Sequence, residues 1–91
     1  MNFPLAYDAT TTRDEFVRLL PQATGDVALR EIDGGFSGRG WSIRLTPIPP
    51  LEIGRVRLER HRVEIDLDGM TAEEQDRFMW RFSLYYQRGG G

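Results

Sequence analysis

Thr71-Ala72-Glu73-Glu74-Gln75-Asp76-Arg77-Phe78-Met79-Trp80-Arg81-Phe82-Ser83-Leu84-Tyr85-Tyr86 is the stretch whose reading decides the fold. Thr71 followed by Glu74 forms a capping box, in which a hydroxyl and a carboxylate satisfy N–H groups that a helix start leaves without partners. Glu73, Glu74 and Asp76 also place negative charge at the positive end of the helix dipole. Phe78, Met79, Phe82, Tyr85 and Tyr86 then fall on one side at about 100° per residue. The spacing predicts a helix over 72–87, stopped by Gly89. Half of the chain's aromatics lie between Phe78 and Tyr86, which makes this helix the main donor to the core. Trp80 and Leu84, four apart, project from the opposite side as a second, smaller apolar patch.

Such a helix needs a sheet to cover, and the segment before it supplies strands. Residues 54–59 and 62–67 are expected to pair antiparallel around Arg60-His61, with a four-residue loop from Glu59 to Arg62 favoured over a two-residue turn that lacks Asn-Gly chemistry. That register sets Leu58 against Val63 and Val56 against Ile65 on one side. On the other it sets Arg57 against Glu64, Arg55 against Asp66 and Glu59 against Arg62. Each cross-strand pair is worth roughly 0.2–1 kcal/mol, and a one-residue slip turns the apolar set toward water.

Toward the N-terminus, Thr12 and Glu15 form another capping box. Phe16, Leu19 and Leu20 give that helix an apolar face, and Pro21 is expected to stop it. Phe3, Leu5 and Tyr7 suggest a short leading strand, kept at an edge by Pro4. Val27–Ile32 reads as a strand, Gly34–Gly40 as a glycine-rich connecting loop, and Trp41–Thr46 as a cleanly alternating strand. Pro47-Ile48-Pro49-Pro50 is expected to end that strand and deliver Leu51 and Ile53 to the core. The order is (β)-α-β-β-β-β-α. Consecutive strands without helical crossovers imply an α+β domain: an antiparallel sheet of four strands, five with the leading one, and two helices packed on one face. The expected organisation is a single domain over 1–88 and a flexible glycine tail over 89–91.

Composition narrows the function. A chain of 91 residues holds one core. The absence of cysteine excludes disulfides, a thiol nucleophile and thiolate metal sites. Twelve basic residues against 14 acidic ones leave a net charge of −2, which offers no global attraction for nucleic acid or anionic lipid. No basic-then-apolar leader and no bilayer-length apolar run occur, so a cytoplasmic protein with no membrane partner is expected. His61 is the one histidine; it sits between two arginines at an expected loop tip, where a general base has no local partner. Glu64, Asp66 and Asp68 recur every second residue, but arginines are expected opposite two of them, which removes the charge a cation needs. The reading is therefore non-catalytic, with no cofactor and no metal.

A protein-interaction or adaptor domain is the expectation that remains. Its candidate partner-binding residues are Trp80 and Leu84 on the last helix, with Phe36 and Arg39 on the glycine-rich loop acting as a mobile arm. The partner is an unknown protein or, through the outward apolar area, a second copy of the chain. Two alternatives stand beside it. Arg44, Arg55 and Arg57 on the outer sheet face form a candidate nucleic-acid strip, though no aromatic interleaves them as stacking on bases requires. The C-terminal Gln87-Arg88-Gly89-Gly90-Gly91 resembles the tail of ubiquitin-like and sulfur-carrier proteins. That resemblance covers the tail alone and implies a carrier role for Gly90 and Gly91, whereas the family has a strand, not a helix, before its diglycine.

Overall fold

A computed structural model describes residues 4–86. In chain order these form β1 (Ala6–Ala9), α1 (Arg13–Thr24), β2 (Arg30–Ile32), β3 (Gly35–Gly38), β4 (Trp41–Ile53), β5 (Val56–Asp66) and α2 (Ala72–Tyr86). All five strands are antiparallel in one sheet of order β1-β5-β4-β3-β2. The expected α+β architecture is the observed one, with the leading strand at the sheet edge beside β5. Its strands are cut differently from the expectation, and the differences have physical causes.

Both helices start as their sequences specify. Thr12 Oγ1 accepts from the Glu15 N–H at 3.1 Å. Thr71 Oγ1 accepts from the Glu74 N–H at 3.2 Å, while Glu74 returns the bond to the Thr71 N–H at 2.8 Å. The Thr71 N–H, with the Thr71 hydroxyl beside it, holds the Glu74 carboxyl below its usual range. Pro21, however, does not stop α1. The helix runs on to Thr24 and closes on Gly25, whose left-handed φ of 72° lets its N–H reach the Pro21 carbonyl at 2.9 Å. Arg81 of α2 then donates from Nε to the Gln22 carbonyl at 2.6 Å, satisfying one of the last acceptors of α1.

The expected strand over Val27–Ile32 shrinks to β2, and Val27 is among the most exposed side chains. The glycine-rich segment is not a loop: Gly35–Gly38 is β3, paired with both β2 and β4. Its glycines are spatial necessities. A Cβ on Gly35 would collide with the Ile43 carbonyl oxygen of the neighbouring strand, and one on Gly38 with the Asp26 carboxylate. Asp26 in turn accepts from the Ala28 N–H at 3.1 Å and the Arg39 N–H at 2.8 Å, fastening the end of α1 to the β3–β4 turn. The Arg39 bond is the main reason its carboxyl sits below the usual range.

Trp41, Ile43 and Leu45 of β4 and Val63 and Ile65 of β5 point to one side, with Leu67 just beyond, and are buried against Phe16, Leu20 and Ala23 of α1 and Phe78, Met79 and Phe82 of α2. Phe16 stacks on Tyr86 at 4.5 Å, and Phe82 meets Tyr86 at 4.6 Å. The Tyr86 hydroxyl donates to the Phe16 carbonyl. Tyr85, expected on this face, is instead exposed.

Gly35→Ala should destabilise the fold by about 1–3 kcal/mol, because the ladder must open to admit the methyl group; a lowered urea midpoint at unchanged slope measures it. Burial pushes the Tyr86 phenol far above its usual range. The unfolded chain releases this proton near pH 10 while the folded one keeps it, so stability present below that pH falls as pH rises beyond it. Tyr86→Phe should flatten this alkaline decline and cost about 0.5–1.5 kcal/mol at neutral pH through the lost hydrogen bond.

Candidate functional site

The core ends at Leu45 and His61, but its two central strands do not. They continue as a two-stranded arm, with Ile48 opposite Arg60, Leu51 opposite Leu58 and Ile53 opposite Val56, turning at Gly54-Arg55. Gly54 has a φ of 59°, the conformation that a two-residue hairpin asks of its first central position and that glycine supplies without strain. The expected turn at Arg60-His61 is absent. Both residues lie inside β5, and the pairs Arg57–Glu64, Arg55–Asp66 and Glu59–Arg62 do not form. Arg44 opposes Glu64, Ser42 opposes Asp66 and Glu52 opposes Arg57.

Pro47, Pro49 and Pro50 are tolerated because none removes a ladder bond. Leu45 donates its N–H to Gly34 on the β3 side at 3.0 Å. Two residues on, Pro47 faces that same side, where β3 has already ended. Pro49 and Pro50 fall within the irregularity between Ile48 and Leu51, where two residues of β4 oppose Glu59 alone.

His61 closes the core at the base of the arm. It is 6% exposed, and Nδ1 lies 2.9 Å from the Thr11 carbonyl. A carbonyl only accepts, so Nδ1 carries the proton and donates. The expected exposed loop-tip histidine is therefore a buried strand residue, because β5 passes through it without turning.

This continuity decides which way the arm's side chains point. On β5 the odd-numbered His61, Val63 and Ile65 face the helices, so Val56 and Leu58 face the other way. The bulge brings Leu51 and Ile53 into register with them. Leu51, Ile53, Val56 and Leu58, expected in the core, form instead an apolar row on the arm's outer face, 37% to 60% exposed. Below them the same face carries Arg62, bonded to Asp8 at 3.2 Å, and Arg60, 3.7 Å from Asp8.

The residues expected to bind a partner are dispersed. Trp80 is 54% exposed on α2, with Leu84 beside it, as their phase requires. Phe36 is not presented to solvent: it is buried in the core from β3, with the Arg13 guanidinium 5.2 Å from its ring centroid. The mobile arm imagined around it is a paired strand. Arg39 is exposed in the β3–β4 turn, fixed through its backbone to Asp26. Arg44 lies on the outer face, Arg55 at the arm's tip and Arg57 on the arm's inner face, so they do not form one strip. Gly90 and Gly91 lie outside the described residues.

A shallow depression of ≈ 220 Å³ sits on the outer face where Gly35 lacks a side chain, lined by Ser42, Arg44, Glu64 and Asp66 among others. Asp66 Oδ1 accepts from the Asp68 N–H at 2.9 Å, so that carboxylate serves the turn into α2. Among the described residues no group of three or more His, Cys, Asp or Glu side chains is placed to hold a metal ion. No helix among them is long and apolar enough to cross a membrane. Compared with protein-family models and with curated proteins, the chain gives no match.

Trp80→Ala should cost less than about 1 kcal/mol, whereas Phe82→Ala, at the centre of the aromatic cluster, should cost about 3–5 kcal/mol. Denaturant titration of both variants checks the assignment of surface and core.

Proposed function

We propose that this chain is a non-catalytic protein-interaction module whose contact element is the β4–β5 arm. The observation that carries the reading is the apolar row Leu51, Ile53, Val56 and Leu58 on a ribbon that extends beyond the shared core. A surface that sets four of its exposed aliphatic side chains side by side on one face of one projecting element is shaped for contact. A two-stranded ribbon in isolation is marginal in water, so its apolar face gains from being covered. The support is geometric in a second sense. The arm's base is fastened by the buried His61 and the core pairs Leu45–Val63 and Ile43–Ile65, which hold it in one orientation toward a partner.

Trp80 and Leu84 supply a second, smaller apolar patch on α2. An adaptor engages one protein with its arm and another with that helix.

A photo-crosslinking side chain at position 53 should give discrete adducts in native cells. The same group at the exposed position 18 on α1 should not. Leu51→Asp with Val56→Asp should remove the adducts while leaving the circular dichroism spectrum unchanged. Absence of adducts at position 53, or identical adducts from both positions, would contradict the reading.

A further inference from the structure

The two edges of the arm are built differently. Along β4 the outer edge carries Pro47, Pro49 and Pro50, which cannot extend a ladder. Along β5, β1 covers only residues 61–64, and the edge from Val56 to Arg60 has no strand beside it among the described residues. It contains no proline and leaves main-chain donors and acceptors facing outward.

Resting on the arm as the contact element, we propose that its partner is a second copy of this chain, joined by antiparallel pairing of the two open Val56–Arg60 edges about a two-fold axis at Leu58. The main-chain polarity fits this axis. Ile65 donates its N–H to Leu5 at 2.7 Å, so odd-numbered residues of β5 aim their N–H and C=O toward the β1 side. On the open edge those residues are Arg57 and Glu59. Pairing about Leu58 sets Arg57 opposite the second copy's Glu59 as a hydrogen-bonded pair, twice by symmetry, which forms four main-chain hydrogen bonds. The two Leu58 side chains then meet at the axis as a non-hydrogen-bonded pair, the closer of the two spacings in an antiparallel ladder.

The charges select the same register. Arg57 and Glu59 point to one face, and among the described residues neither enters an ion pair. About Leu58, each arginine lies directly across from a glutamate. An axis at Arg57 would set two arginines against each other, and one at Glu59 would set two glutamates together, both destabilising. The length also matches. The open edge is centred on Leu58, so each copy pairs its whole exposed segment before reaching the other's β1. Val56 lies across from Arg60, whose aliphatic stem covers it. The two sheets become one, and the two apolar rows become a continuous face.

Sedimentation velocity across a wide concentration range tests this with charge reversals at exposed positions, each checked for folding by circular dichroism. The wild-type chain should form a dimer. Arg57→Glu alone and Glu59→Arg alone should each weaken it about tenfold or more, because each sets like charges together twice. Mixing these two variants should restore a dimer containing one of each, and the double variant R57E/E59R should dimerise by itself. A wild-type chain that stays monomeric, a dimer indifferent to both reversals, or a failure of the mixture to recover would each overturn the pairing. A monomer whose position 53 still crosslinks to other proteins defeats the self-pairing alone. A chain with no crosslinks at that position removes the interaction reading beneath it.

Discussion

Side chains of an unbroken strand alternate between two faces, and β5 is unbroken from Val56 to Asp66. Everything distinctive about this molecule follows from that constraint. Its second half is fixed by the core, where Val63 and Ile65 must face the helices. Its first half inherits the same phase with no freedom to adjust. Val56 and Leu58 are therefore committed to the outer face, and β4 matches them by inserting an extra residue at Pro49-Pro50 so that Leu51 and Ile53 align. A hydrophobic row exposed by the geometry of the core is a different object from a scattering of surface aliphatics, because the fold cannot turn it inward without exposing its own centre.

The helices make that phase unconditional. Phe16, Phe82 and Tyr86 interlock between α1 and α2, and Trp41 meets Phe78 at 5.8 Å where α2 lies on the sheet. Arg81 on the Gln22 carbonyl and Tyr86 on the Phe16 carbonyl cross-link the helix pair through main-chain acceptors. Both helices thus bear on the same inner face, and the core has one solution for the odd-numbered residues of β5. Asp26 and the close-packed Gly35 and Gly38 secure the far side of the sheet. The arm is left with a row of apolar groups that have no internal use.

Much of this was legible from residues alone. Thr71 with Glu74, Thr12 with Glu15, and the aromatic periodicity of 78–86 carry local signals that tertiary structure had no reason to override. The two helices follow from them, while the count of strands agrees because β3 replaces the hairpin strand that β4 and β5 absorb. Three features were not legible, each because a local rule met a wider context. Pro21 reads as a helix stop, yet Gly25 provides a better one a turn later. Gly34–Gly40 reads as a loop, since glycine weakens strands, but at Gly35 and Gly38 a neighbouring carbonyl and carboxylate lie too close for any side chain. Two registers compete for 54–67, and the one with a turn at Arg60-His61 aligns three charge pairs. It loses because the residues of β4 beyond Pro47 offer β5 a longer partner. The signal that favours the true turn is Gly54 in the first place of a two-residue loop, beside a pair of turn residues, Arg60-His61, that lack any such chemistry. Reading the arm's residues as core was the direct consequence of that register.

The register itself is therefore the quantity to measure. In the observed ladder Glu52 and Arg57 are a non-hydrogen-bonded pair, the arrangement that brings opposing Hα atoms closest. A nuclear Overhauser contact between the Hα atoms of Glu52 and Arg57 is the result this account requires, together with its absence from both Leu58–Val63 and Arg57–Glu64, one of which is the close Hα pair in any hairpin closing at Arg60-His61. The reverse pattern would place a turn at Arg60-His61, return Val56 and Leu58 to the core, and leave the molecule without the arm on which its proposed function stands.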